Sequence, residues 1–147
     1  MEEKRRAVIH MTSVSPAERM ETLLAGEGLI RDQTALLHWT ERLSEDDGVS
    51  DETRVSLQVR QDHAMMQRRG AWAVAMVFEP GACRESVYHT PYGDLPLTVT
   101  ARSVGLTLRE DGGCAVLVYD LSLQGGEPDT RTMTLDWRWA DADPGEG

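Results

Sequence analysis

The chain of 147 residues is poor in several things, and each scarcity excludes something. It has only two cysteines, Cys83 and Cys114, 31 positions apart with no Cys-x-x-Cys, so reduced structural thiols are expected ahead of a disulfide or a reactive thiol. No stretch approaches the ~18 consecutive apolar residues of a membrane span. The most apolar, Ala71 to Phe78, has eight. The first residues, Met1-Glu-Glu-Lys-Arg-Arg, lack the apolar core of a signal peptide, so a cytoplasmic protein is expected. Basic charge is short too: 15 Lys and Arg against 25 Asp and Glu give a net charge of −10. With a pI near 4.8 the chain offers no overall basic field to nucleic acid or an anionic membrane surface.

Catalytic patterns are also missing. His10, His38, His63 and His89 fall on different elements with no HxH or HExxH spacing, so no metal is expected. There is no Gly-x-Ser-x-Gly elbow, and no serine or cysteine is followed by a recognisable base and acid. No cofactor is called for. Gly26-Glu27-Gly28 lies in a β-patterned segment with no helix after it, which favours a bulge over a phosphate cradle.

What the chain does have is alternation. Val55, Leu57 and Val59 alternate with polar residues, as do Met133, Leu135, Trp137 and Trp139, the pattern of strands with one dry and one wet face. Turn signals punctuate these runs: Glu79-Pro80-Gly81, Thr90-Pro91-Tyr92-Gly93, Asp111-Gly112-Gly113 and Gln124 to Pro128. Ten strands are predicted, at 5–13, 20–31, 33–43, 52–60, 63–69, 71–78, 83–90, 94–109, 114–123 and 129–139. Ser15-Pro16 could begin one helical turn, Ser44 to Ser50 reads as a solvated loop, and 140–147 as an acidic, frayed tail. A single domain over 1–147 follows, all-β with little or no helix. So many sequential strands dispose of their edges best by closing, so an antiparallel up-and-down barrel is preferred to a two-sheet sandwich.

Arg68-Arg69-Gly70, Met76-Val77-Phe78 with Pro80-Gly81, and Tyr88 to Leu97 resemble in order and spacing the YwiB-like family of small bacterial proteins of unknown function. The similarity runs from about Ile9 to Arg138. It implies a calycin-type barrel, lipocalin-like in shape, and transfers no catalytic residues. The Gly-x-Trp that marks true lipocalins is absent near the N-terminus, which separates the chain from lipocalin transport function.

Gly70, Pro91 and Gly93 read as turn-forming structural positions. Arg68, at a strand end, is expected to pair with a carboxylate such as Glu85 or Asp94, with anion binding as the alternative. Tyr88 and Tyr92 flank a tight turn, and Trp39 is one of four tryptophans that could fill the core or line a mouth. Arg68, Tyr88, Tyr92 and Trp39 are therefore the candidate ligand contacts. Cys114 to Tyr119 and Ala71 to Phe78, apolar on both faces, call for a lid or a partner. Three functions compete: a non-catalytic barrel that binds a small, partly apolar ligand; a structural protein acting through a homodimer or partner interface; and, least supported, an enzyme using Arg68, Tyr88 and His89. Alternation counts against the last by putting Tyr88 and His89 on opposite faces.

Overall fold

The computed structural model describes residues 4–42 and 52–140, so the expectations for the 44–50 loop and for the tail beyond Ala140 lie outside the described residues. Ten strands form one antiparallel sheet: β1 (Arg5–Val14), β2 (Arg19–Arg31), β3 (Thr34–Arg42), β4 (Glu52–Arg60), β5 (His63–Gly70), β6 (Val74–Phe78), β7 (Cys83–Thr90), β8 (Gly93–Arg109), β9 (Gly112–Leu123) and β10 (Asp129–Trp139). Each pairs with its neighbour in sequence except β6 with β7, and β1 pairs with β10, giving the order β6-β5-β4-β3-β2-β1-β10-β9-β8-β7. The two end strands are consecutive in the chain and meet at one bridge, Ala73 with His89, whose backbone groups exchange hydrogen bonds of 2.9 and 2.8 Å. The result is a nearly closed barrel.

Local chemistry explains the connections. At the β6–β7 turn Ala82 N–H donates to the Glu79 carbonyl at 2.9 Å, with Pro80 setting one φ and Gly81 taking φ +87°, the requirements of a type II turn. The predicted helical turn after Ser15 is not there. Glu18 N–H does donate to Ser15 Oγ as a capped helix would, but Ser15 N–H also donates to the Glu18 carbonyl at 2.9 Å, and the pair closes the β1–β2 hairpin instead. β6 starts at Val74 rather than Ala71, because the chain bends through Ala71 and Trp72 to leave β5 after Gly70, which sits at φ +136°.

A bulge between Ala101 and Ser103 bends the 17-residue β8, so that its first half pairs with β7 and its length beyond Leu97 with β9. The edge this leaves beyond β7 is capped by the β4–β5 turn. Asp62 N–H donates to the Val104 carbonyl at 3.0 Å, while Gln61 donates to the Leu106 carbonyl at 2.7 Å and accepts from its N–H at 3.3 Å.

The alternating apolar residues point inward. Ile9, Leu37, Leu57, Met66, Phe78, Leu117, Leu135 and Trp137 are fully buried, and Trp39 and Trp139 nearly so. Three of the four tryptophans therefore fill the barrel. Close approach at glycines makes room for them: a Cβ on Gly113 would lie 2.5 Å from the Trp137 ring, and one on Gly28 would lie 2.7 Å from Leu37. No bulge occurs at Gly26 to Gly28, where pairing with both β1 and β3 is regular, so those glycines serve packing. On the outer face Val116 and Val118 are half-buried and Ala71 and Ala75 are small and exposed. The larger exposed apolar side chains include Val8, Met20 and Leu23 on β1 and β2.

Candidate functional site

Inside the barrel, at the level where β3, β4 and β5 pair through Trp39, Val55 and Arg68, one carboxylate holds two of the candidate residues. Arg68 bonds through Nη1 to Glu41 Oε1, and Trp39 Nε1–H donates to Glu41 Oε2 at 3.0 Å. The Arg68 and Glu41 side chains keep 20% and 17% of their exposure, enough desolvation to strengthen the pair without fully removing it from water. The partner of Arg68 is thus Glu41, and neither Glu85 nor Asp94 takes that place. Glu85 is exposed, and Asp94 contacts His89 Nδ1 at 3.0 Å on the exposed surface of the β7–β8 pair. Glu41 could have been found from the sequence, since alternation puts it on the inward face with Leu37 and Trp39, where an unpaired carboxylate would be costly.

The other two candidates meet around Trp72. The bend that starts β6 late turns Trp72 across the top of the seam, where its ring meets Tyr88 at 5.9 Å and Tyr92 at 6.1 Å, both edge to face. Tyr88 packs against the core, whereas Tyr92 is 89% exposed at the tip of the β7–β8 turn. That turn is held by Thr90, whose hydroxyl donates to the Gly93 carbonyl at 2.7 Å and accepts from Tyr92 N–H at 3.0 Å. Pro91 lies inside it, and Gly93 takes φ +129°. Trp72 Nε1–H is buried with no acceptor. Tyr88 and His89 do fall on opposite faces: Tyr88 turns to the core and His89 to the surface.

Below this cluster the β6 and β7 backbones separate. Beyond the Ala73–His89 bridge the gap is crossed by Ser86 Oγ, which donates to the Ala75 carbonyl at 2.6 Å. A groove of about 330 Å³ lies on the seam, with an apolar floor of Ala73, Val74, Ala75 and Val87 and with Arg68, Arg69 and His89 at its margins. A larger depression lies elsewhere, about 670 Å³ on the outer face of β1–β5, bordered by Arg6, Arg54 and Arg69. Reactive groups are scarce. Burial pushes the thiol of Cys114 and the phenol of Tyr119 above their ordinary ranges, so both stay protonated at neutral pH. Both cysteines are free, and among the described residues no three His, Cys, Asp or Glu side chains converge. No helix of the described residues is long and apolar enough to cross a membrane.

The crystal structure of the YwiB protein from Bacillus subtilis superimposes on this chain with a TM-score of 0.80, at 20% identity over 93% of each chain. That likeness carries the fold. No curated protein matches the sequence at a significant level. Residues 7–135, from the third residue of β1 to the middle of β10, match one family over most of the barrel. On that match the chain belongs to the family described as domain of unknown function DUF1934.

Proposed function

We propose that the protein is a non-catalytic, calycin-like binding barrel that takes a small, partly apolar ligand on the β6–β7 seam rather than in its interior. The observation that carries this reading is the seam groove. The interior is occupied by Phe78, Leu117, Trp137 and their neighbours, whereas the break in backbone pairing between β6 and β7 opens onto about 330 Å³ with an apolar floor. Arg69 and His89 on its margins suit a ligand with an anionic end. Arg68 and Trp39 take part by holding Glu41 and so fixing the end of β5, and the Trp72, Tyr88 and Tyr92 rings pack on one another where the chain turns from β5 into β6.

Octanoate and octanol are suitable probes, read by amide chemical shifts. Both should shift Ala73, Ala75, Val87 and His89 at millimolar concentration, and Ala75→Trp should abolish the response to either. Arg69→Gln should weaken octanoate several-fold and leave octanol unchanged. An absence of seam shifts up to the solubility limit, or shifts confined to interior residues such as Leu57 and Leu117, overturns the proposal.

A second reading, association through a homodimer, is favoured by a different feature. Val8 and Leu23 are 45% and 71% exposed on the outer face of adjacent strands β1 and β2, and both border a groove of about 380 Å³. Sedimentation should then show a dimer that Leu23→Glu dissociates; a monomer at every concentration counts against it.

A further inference from the structure

Arg68 belongs to two places at once. Inside the barrel its Nη1 bonds Glu41 Oε1, and it also lines the groove on the β6–β7 seam. The fold accounts for this double membership. β6 is an end strand of the sheet, and Arg68 pairs in register with Val74 of β6, so it stands one strand in from the open edge. Ala64 and Met66 on β5, and Val74, Met76 and Phe78 on β6, share its inward side and are apolar. Arg68 is the charged side chain of that wall. Arg69, next in sequence, points to the opposite face, and it too lines the groove. A carboxylate at this edge can therefore be taken from both faces of β5 by two guanidinium groups.

Glu41 shows which chemistry Arg68 accepts. Its carboxylate comes from two strands away across β4, and it holds the Arg68 guanidinium on one oxygen and Trp39 Nε1–H on the other. Both members of the ion pair stay partly exposed, so they can exchange partners without leaving a sealed core. Thr53 offers Glu41 a second place to go. It stands directly opposite Glu41 in the β3–β4 register, is 1% exposed, and its hydroxyl has no hydrogen-bond partner. Cross-strand partners on one face hold their Cβ atoms about 5 Å apart. A glutamate released by Arg68 can accept from the Thr53 hydroxyl and keep Trp39, so its carboxylate is not left bare.

We propose, on the premise that the seam groove binds a small amphiphile, that the amphiphile is a carboxylate received by Arg68, and that Glu41 is a built-in competitor it displaces. The ligand's carboxylate takes Arg68 together with Arg69, its apolar chain lies on Ala73, Ala75 and Val87, and Glu41 turns to Thr53. The affinity observed for a carboxylate is then the intrinsic affinity reduced by the fraction of time that Arg68 is free of Glu41. An alcohol of the same length makes no demand on Arg68 and suffers no such reduction.

The test measures octanoate and octanol binding to the full chain by amide and indole chemical shifts, and repeats both with Glu41→Gln, Glu41→Gln/Arg68→Gln and Thr53→Val. Octanol should bind all four proteins alike, which shows that each has folded with its groove intact. Octanoate should shift the Trp39 indole N–H, and octanol should not. Glu41→Gln keeps an acceptor for Trp39 and removes the competing charge, so octanoate should bind several-fold tighter. Adding Arg68→Gln should remove that gain, whereas a general easing of negative charge would survive it. Thr53→Val should weaken octanoate several-fold. An octanoate affinity unchanged by Glu41→Gln or by Thr53→Val, or a gain that persists in the double variant, overturns the proposal, while octanol shifts at the seam leave the groove reading standing. A lack of seam shifts with either probe overturns the groove reading and this proposal together.

Discussion

Replacing Gly113 with alanine isolates the packing of the largest ring in the core. Gly113 faces Trp137 directly across the β9–β10 pair, and a Cβ built there would stand 2.5 and 2.7 Å from the ring atoms Cζ2 and Cη2 and 3.0 Å from the Thr107 carbonyl oxygen. Trp137 is fully buried, so the ring has no free space to move into without displacing other core side chains. Overpacking of this kind costs about 1–3 kcal/mol. Against that, alanine lowers the entropy of the unfolded chain and returns roughly 0.5–1 kcal/mol. The net expectation is a loss of about 1–2 kcal/mol, a fall in Tm of roughly 3–6 °C for a chain of this length. Urea titration supplies the free energy, and Gly113→Ala/Trp137→Phe supplies the control. Trp137 Nε1–H has no acceptor, so the shorter ring forfeits no hydrogen bond while removing the atoms that collide. The double variant should be more stable than the sum of the single effects by at least about 1 kcal/mol. A Gly113→Ala protein as stable as the parent, or a double variant that is merely additive, refutes the idea that this glycine exists to admit the ring.

Other outcomes follow from contacts already described. Glu41→Leu leaves Arg68 without its anion and Trp39 Nε1–H without its acceptor, and should cost about 2–4 kcal/mol by denaturant titration; Glu41→Leu/Arg68→Met should recover part of that loss. Stability should fall under acid. The Arg109 hydrogen bond holds Asp111, and the Arg102 and then Thr130 hydrogen bonds hold Asp120, below the ordinary carboxyl range in the folded chain. The unfolded chain therefore binds more protons, and this stabilisation, present above about pH 4, is lost as pH drops through the lower folded values. Melting curves from pH 7 to pH 3 should show the decline, and Arg102→Gln should make it shallower; a flat profile contradicts it. Gln61→Ala removes both side-chain bonds to Leu106 and uncovers the free edge of β8, so light scattering should report faster aggregation together with a stability loss of about 1–2 kcal/mol.

The strands were legible because each buries one face: period two in Val55 to Val59 or Met133 to Trp139 fixes both the element and the inward side. Boundaries held within a few residues where turn chemistry is strong, as at Pro80-Gly81 and Pro91 to Gly93. The start of β6 did not. Ala71 to Phe78 is uniformly apolar, so nothing in its pattern says that Trp72 leaves the strand to join Tyr88 and Tyr92. The Arg68 pair was half legible. The inward side of Glu41 could be read from alternation with Leu37 and Trp39, but it sits two strands from Arg68 across β4, and joining the two needs the order of the sheet. The seam was not legible at all, because β6 and β7 are joined by a short turn and would be expected to pair along their full length.

That seam divides the molecule in a way that bears on how it assembles. Hairpin pairing builds two half-sheets, β1–β6 and β7–β10, from contacts between neighbours in sequence. The pairing that makes them one barrel, β1 with β10, joins Ala7 to Trp139 and so spans nearly the whole chain. Closing so long a loop is the entropically expensive event of folding, and it comes late. A circular permutant with the original ends joined and new ends opened at Pro80 and Gly81 turns that distant pairing into a local hairpin. Its new ends fall where the two half-sheets are bridged least, so the permutant gains folding speed without giving up a paired strand.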